Sequence, residues 1–302
     1  MTRPEVKPMP APARLASLRR LLSCIRTDEV CVLQGAPVIG ACFAMTDFNV
    51  STLLTAAALV LGNLLLVAHV FVLNDWSGIQ GDLRDPTRAT WTYVAKGEDS
   101  ARIGGLALVL LALSLLVFAL INRTSLVIAS TIAALSAIYS VKGVHGKGVP
   151  LLSSLLHLCG GTLHFLLGYA ALSSNLLQGA IIGCYFGLVF AAGHLTHETR
   201  DHDGDLHSGI RTNAVAFGRK RTFFASLLLF SSAYMLLTAL ALLGLVPRVL
   251  VLVIAPYAIH LRAAWRTLRD GLTYPNIRRL QTVYRNIHAV IGLVLLATVP
   301  PW

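Results

Sequence analysis

Long apolar runs alternate with short polar connections along almost the whole chain. A helix crosses the hydrocarbon core of a bilayer with about 20 mostly apolar residues. Runs of that kind fall at 29–46, 50–73, 101–122, 124–141, 151–172, 176–197, 222–244, 248–268 and 280–300, the first and the last two being more polar than the rest. The pattern predicts an all-α, polytopic membrane protein of about nine transmembrane helices. No connection is long enough to separate two soluble domains, so residues 29–302 read as one transmembrane domain. Residues 1–28 read as a cytoplasmic segment. There, Leu15, Leu18, Leu21, Leu22 and Ile25 recur at helical spacing among arginines, the pattern of an amphipathic helix lying on the bilayer surface. The arginines interrupt it too often for a signal-peptide core.

Composition agrees with this reading. The chain is 55% hydrophobic and 13% charged, against about 25% charged in an average soluble protein. Of its 25 Lys and Arg, all but Arg123 and Arg248 fall before the first run or around the 2–3, 4–5, 6–7 and 8–9 connections. Cytoplasmic loops carry the excess of Lys and Arg, which puts the N-terminus and those connections in the cytoplasm and the C-terminus outside. The net charge of +11 is then a signal of membrane orientation. No soluble domain exists to carry a basic stripe, so nucleic acid is not expected as a partner. The five cysteines, Cys24, Cys31, Cys42, Cys159 and Cys184, show no CxxC spacing and read as small apolar fillers.

The chemistry concentrates in two acidic clusters, "NDWSGIQGDLRDPTR" at 74–88 and "HETRDHDGDLHSGIRT" at 197–212. Each follows the second long run of a helical block, 1–4 or 5–9, which suggests a duplicated arrangement. Glu198, Asp201 and Asp205 are spaced three and four apart and share a helical face if the sixth run continues through them. Carboxylates stacked in this way repel unless a cation joins them. Mg²⁺ fits, because it takes oxygen ligands and is commonly held by one or two carboxylates plus substrate phosphates. Asp75 and Asp82 would stand about 10.5 Å apart along a helix, too far to share one ion. Gly78 and Gly81 are placed to break the helix between them, and Asp85 precedes Pro86, which disfavours helix at that residue.

Arg88, Lys142, Lys147, Arg200 and Arg211 lie on the same side as the acids. Carboxylates mixed with cations suit a metal-bridged phosphate or diphosphate. A ligand with a diphosphate head and a hydrocarbon tail would match a polar cytoplasmic mouth above a central apolar cavity. No GxGxxG, GxxxxGK[ST] or HExxH pattern is present. Gly104–Gly105 and Gly160–Gly161 read as helix-packing positions, and His157 and His164 as packing histidines. Tyr139, Phe165, Tyr169, Tyr185 and Phe186 read as core or lipid-facing residues, of which some could line the cavity and stabilise a cation through ring faces.

These motifs resemble those of the UbiA-type superfamily of intramembrane prenyltransferases, which carries NDxxDxxxD after its second helix and a DxxxD-type motif after its sixth. Asn74, Asp75 and Asp82 match the first, with Gly78 where the middle Asp is expected. "ETRDHDGDLHSGIRTNAVAFG" resembles the version DxxDxxGDxxxGxxTxxVxxG, with Glu198, Asp201, Gly204, Asp205, Gly209, Thr212, Val215 and Gly218 in register and Glu198 in place of an Asp. "IYSVK" at 138–142 is similar to the family's YxxxK element, one residue shorter. The resemblance implies two Mg²⁺ ions held by Asn74, Asp75, Asp82, Glu198, Asp201 and Asp205, with Asp75, Asp82, Asp201 and Asp205 essential to catalysis. It implies a diphosphate held by Arg88, Tyr139, Lys142, Lys147, Arg200 and Arg211. Asp85 could replace the carboxylate missing at Gly78. The implied reaction transfers an isoprenyl group from its diphosphate to an acceptor, often an aromatic ring, inside the bilayer. Some members instead cyclise the allylic cation as terpene cyclases. From a different class, a cation transporter would also use intramembrane carboxylates, but here the acids cluster at one membrane face.

Overall fold

The computed structural model describes residues 21–83, 92–94, 97–141 and 143–298, apart from the Asp82 side chain. The expected surface helix of the N-terminal segment therefore lies largely outside the described residues, as do Asp85, Arg88 and Lys142. All regular elements described are helical. In chain order they are α1 (Thr27–Val32), α2 (Gly35–Ala44), α3 (Val50–Asp82), α4 (Ser100–Ile121), α5 (Arg123–Ser140), α6 (Leu152–Leu172), α7 (Leu176–His207), α8 (Asn213–Phe217), α9 (Arg219–Leu242), α10 (Ile254–Arg269) and α11 (Tyr274–Thr298). Short 3₁₀ turns at Gly146–Gly148 and Arg248–Val253 precede α6 and α10.

Eight of the nine expected runs become helices long and apolar enough to cross a bilayer. The first differs. It divides into α1 and α2 because Pro37 has no N–H to give the Leu33 carbonyl, which interrupts the helical ladder. The Gln34 side chain partly compensates by donating to the Val30 carbonyl at 2.9 Å. The second and sixth runs extend past their apolar ends. α3 is continuous to Asp82 and α7 to His207, so the stretches 74–82 and 197–207 of the acidic motifs are helical. The break expected at Gly78 and Gly81 is absent: both lie inside α3, and neither has a positive φ. Flanking side chains hold the helix there. Ile79 is buried, and the Trp76 indole lies over Gly104 of α4, where an added Cβ would come within 2.9 Å of it.

Polar side chains start several helices at their ends. Asn49 and Thr52 form a capping box on α3, and Asn122, Asn175 and Asp99 cap α5, α7 and α4. Each satisfies backbone N–H groups that the first helical turn leaves without partners. The most extensive packing is of α6 on α7, α3 on α4, α7 on α9 and α2 on α6. Glycines permit the closest of these approaches. Gly179, Gly183 and Gly187 line the α7 face against α6, and Gly161 of α6 meets Gly187 backbone to backbone. In each of the two glycine pairs of the sequence one member packs, Gly104 or Gly161, while Gly105 and Gly160 have nothing within 4 Å of an added Cβ. His164 is a satisfied core residue. Its Nε2–H donates to Asn63 Oδ1 at 2.7 Å, and Asn63 Nδ2 donates to Gln34 Oε1 at 2.9 Å. Outward-facing side chains such as Leu108, Leu116, Leu120, Leu228, Met235 and Leu293 are apolar and exposed, as a bilayer requires.

Candidate active site

Both acidic motifs sit at the same end of the bundle, where α3, α5 and α7 finish and α6 and α9 begin. Hydrogen bonds establish the arrangement. Ser140 Oγ, at the end of α5, donates to Asn74 Oδ1 at 3.5 Å. Beside it, the Tyr139 ring packs edge-on to His157 of α6 and His194 of α7, at centroid distances of 5.0 and 6.0 Å. The Tyr139 hydroxyl is close enough to feel the charges of Glu198 and Asp205. Thus the Tyr139–Ser140 end of α5 touches the first motif at Asn74 and approaches the second through His194, which lies against Glu198.

On α7, Glu198 and Asp205 point within about 20° of each other, and Asp201 points about 60° from Glu198 and about 40° from Asp205, at 100° per residue. Their environments differ more than this spacing suggests. Asp201 is 31% exposed and held by Arg200, whose Nε and NH2 each donate to a carboxylate oxygen at 2.7 Å. Arg200 NH1 also donates to Gln281 of α11 at 3.0 Å, and its guanidinium lies over the Tyr274 ring. Asp205 is buried. Glu198 is only 4% exposed; Ser153 Oγ donates to its Oε1 at 3.1 Å, and Asn213 donates to its Oε2 from N at 3.1 Å and from Nδ2 at 2.8 Å. His194 Nε2 lies 2.9 Å from Oε1, an ion-pair distance but off the line of a hydrogen bond. The His157 and His194 rings stack with centroids 3.6 Å apart. His157 Nδ1 carries its proton, because its partner at 2.7 Å is the Ser153 carbonyl.

The glycines and threonine of the second motif have local explanations. α7 ends in a Schellman motif: Ile210 N–H donates to the Asp205 carbonyl and Gly209 N–H to that of Leu206, with Gly209 at φ +68°. Thr212 then caps the short α8, and Gly218, at φ +88°, turns the chain into α9. A side chain at either glycine would meet the steric cost of positive φ. Asp203 faces away from the mouth and pairs with Arg219 of α9.

In the first motif Asp75 is held by Arg26, whose Nε and NH2 donate to its two oxygens at 3.1 and 2.5 Å. Burial alone would lower the Arg26 pKa, but the charge and hydrogen bond of Asp75, helped by Glu29, outweigh it and raise the value. Sequence reasoning counted Arg26 only as a topological charge. It also missed Asn213, Ser153 and His194, although Asn213 directly follows the motif threonine. Lys147 lies in the 3₁₀ turn before α6, and Arg211 stands exposed between α7 and α8. Their loops adjoin: a Cβ added to Gly148 would lie 4.0 Å from Arg211 N.

The motif side chains at this mouth, Asn74, Asp75, Asp201 and Asp205, offer oxygen donors and are carboxylate-rich, the chemistry Mg²⁺ prefers. Among the described residues no three His, Cys, Asp or Glu side chains converge closely enough to enclose a metal by themselves. Mg²⁺ does not demand that, since it keeps waters and takes phosphate oxygens. Two grooves of about 360 and 350 Å³ on the outer surface of α9 and α10, one lined by Phe223, Arg262 and Trp265 and the other by Arg219 and Thr273, contain no motif residue. They are not part of the site.

Comparison with known proteins gives a consistent result. The sequence pattern described as "UbiA prenyltransferase family" matches residues 35–276. No curated protein matches the sequence. Among solved structures, a digeranylgeranylglyceryl phosphate synthase superposes with a TM-score of 0.68 at 18% identity, covering 93% of this chain and 98% of its own. A UbiA homologue from Archaeoglobus fulgidus, bound to DMAPP and Mg²⁺, gives 0.67 at 17% identity, with 92% and 99% coverage. The apo structure of a UbiA homologue from Aeropyrum pernix K1 gives 0.72 at 18% identity, with 90% and 98% coverage. At such identities the likeness is one of fold.

Proposed function

We propose that this chain, which belongs to the UbiA prenyltransferase family, uses Mg²⁺ to take an isoprenyl group from its diphosphate and transfer it to an acceptor, an aromatic ring being the class we favour. The observation that carries this is the meeting of both acidic motifs at the end of α5, beside loops that bear Lys147 and Arg211. The Archaeoglobus relative, bound to DMAPP and Mg²⁺, and a second form bound to GPP and Mg²⁺ support the same chemistry here.

Asn74 and Asp75 on α3, and Asp201 and Asp205 on α7, are the groups we assign to the metal, with Asp82 completing the first motif. When bound, Mg²⁺ would act as a Lewis acid that stabilises charge on the departing diphosphate. The chain supplies the rest. Lys147 and Arg211 bind the diphosphate oxygens, and Arg88 and Lys142 are assigned to the same task from the sequence. Tyr139, packed on His157 and His194, is fixed in orientation at the boundary between the polar mouth and the apolar bundle. Arg200 and Arg26 now neutralise Asp201 and Asp75. With a metal held by those carboxylates, both guanidiniums would be free to bind phosphate oxygens, for which their planar forks are suited. The packed apolar helices below exclude water from the carbocation, so that the acceptor, not solvent, captures it.

The test is release of diphosphate from labelled geranyl diphosphate by the purified chain. EDTA should stop it, Mg²⁺ should restore it, and Asp201→Ala and Asp205→Ala should each leave less than a tenth of the turnover. Release that persists without metal would defeat the proposal. Mass spectrometry with and without aromatic acceptors then separates transfer from cyclisation, since a cyclised hydrocarbon formed equally in both would identify a cyclase.

A further inference from the structure

We infer that Glu198, although it stands in register with the metal-binding acids of its motif, is a positioning residue that clasps the two cationic loops together and leaves the metal to Asp201 and Asp205. The inference rests on the reading that a metal diphosphate occupies this mouth.

The first ground is the state of its lone pairs. A carboxylate offers about four acceptor sites. Three of those of Glu198 accept from Asn213 N, Asn213 Nδ2 and Ser153 Oγ, all within 3.1 Å, and the His194 ring, with Nε2 at 2.9 Å but off the hydrogen-bond line, covers the remaining side. The side chain is 4% exposed, against 31% for Asp201. Mg²⁺ surrenders its waters reluctantly, and a carboxylate enclosed by a serine, an asparagine and an imidazole has no space to meet a hydrated ion.

The second ground is what the clasp connects. Asn213 holds Glu198 on one side, and on the other its Oδ1 accepts from Leu151 N at 2.7 Å. Leu151 has φ +65°, a conformation that L side chains rarely adopt, so its turn depends on such support. Asn213 Nδ2 also donates to Ser153 Oγ at 3.0 Å and to Ser154 Oγ at 3.2 Å. One buried network therefore joins α7, the start of α8 and the start of α6. Lys147 lies four residues before Leu151, and Arg211 two before Asn213. Fixing both anchor points fixes the spacing of the two cations, which is the preorganisation a diphosphate site needs.

The third ground is reach. An Asp at 198 would be one methylene shorter and would not span the distance from α7 to Asn213 without moving either helix. The Glu in place of the family's Asp is suited to the clasp.

The two roles predict opposite effects for two substitutions. Glu198→Gln keeps the length, can accept both Asn213 donors at its oxygen, and can donate to Ser153 Oγ with its amide. Glu198→Asp keeps the charge and loses the reach. The measurements are Mn²⁺ affinity by the loss of free-ion electron paramagnetic resonance signal in the presence of inorganic diphosphate, thermal stability, and kcat and KM with geranyl diphosphate. With full-length protein in nanodiscs, Glu198→Gln should hold Mn²⁺ within twofold of wild type and keep its melting temperature, while Asp201→Asn should weaken Mn²⁺ at least tenfold. Glu198→Asp should keep Mn²⁺ affinity, lower the melting temperature, and raise KM severalfold more than it lowers kcat; Asn213→Ala should do the same. A tenfold loss of Mn²⁺ affinity in Glu198→Gln, with Glu198→Asp unharmed, would make Glu198 a metal ligand and overturn the inference. Wild-type protein that binds no Mn²⁺ with diphosphate would defeat the metal reading of the site. The clasp would then stand or fall on whether Gln rescues stability where Asp does not.

Discussion

At the scale of single residues, the motif carboxylates are distinguished by their present partners. Asp75 and Asp201 are each gripped by a guanidinium that a metal, on the proposed reading, would have to displace. The Arg26–Asp75 pair is partly exposed, and such pairs are worth about 0.2–1 kcal/mol. Removing the competitor with Arg26→Gln should therefore strengthen Mn²⁺ binding by about 1.4- to 5-fold. Weaker binding in that variant would show that Arg26 supports the metal site instead of opposing it. Gly78→Asp is the companion case. Because α3 is helical there and Gly78 does not have positive φ, the backbone accepts an aspartate, and a carboxylate is restored one turn beyond Asp75. The Mg²⁺ concentration for half-maximal diphosphate release should fall, and an unchanged or higher value would mean that position 78 does not sense the metal.

At the scale of elements, the bundle depends on helices brought together backbone to backbone. Lipid is as apolar as the helix faces, so packing at small residues has to provide association. A Cβ on Gly168 of α6 would lie 1.8 Å from the Pro37 carbonyl oxygen of α2, and one on Gly187 of α7 would lie 2.5 Å from the Leu158 carbonyl oxygen of α6. For Gly168 the obstacle is main chain and cannot rotate aside; for Gly187 main chain stands beside the Thr162 hydroxyl, which is 2.2 Å from the added Cβ. Overpacking of this kind costs about 1–3 kcal/mol. Gly168→Ala should thus lower the melting temperature in detergent by several degrees. Gly105→Ala, whose added methyl meets nothing within 4 Å, should leave it unchanged or slightly raised. Equal effects for the two would refute the packing argument.

At the scale of the whole molecule, one end of the bundle carries the chemistry and the outer surface carries apolar side chains. We propose, from the distribution of Lys and Arg, that this end faces the cytoplasm. In a chain freed of its five native cysteines, Gln80→Cys and His207→Cys should react with a membrane-impermeant thiol reagent from one face only. Asn49→Cys and Asn175→Cys should react from the other. Labelling of positions 80 and 207 from opposite faces would exclude a shared site, whatever the reaction.

The apolar runs by themselves determined eight of the nine expected spanning helices, because a bilayer leaves the backbone no partner but its own carbonyls. With the Lys and Arg distribution they also placed both motifs after long runs on one side, whereas the shared face of 198, 201 and 205 was conditional on α7 continuing through them, which the structure shows it does. Gly78 misled, since glycine's low helical preference is a local property while the continuity of α3 comes from Ile79 in the core and Trp76 lying over Gly104. The roles of the carboxylates were beyond the sequence for a related reason. Glu198, Asp201 and Asp205 are alike in charge and in register, and only the residues that the fold brings beside them separate them. Asn213 and Ser153, 15 and 45 positions from Glu198, fill its lone pairs, while Arg26, 49 positions from Asp75, neutralises that acid. A ligand's availability depends on competing donors in three dimensions, and those contacts exist only once the helices have packed.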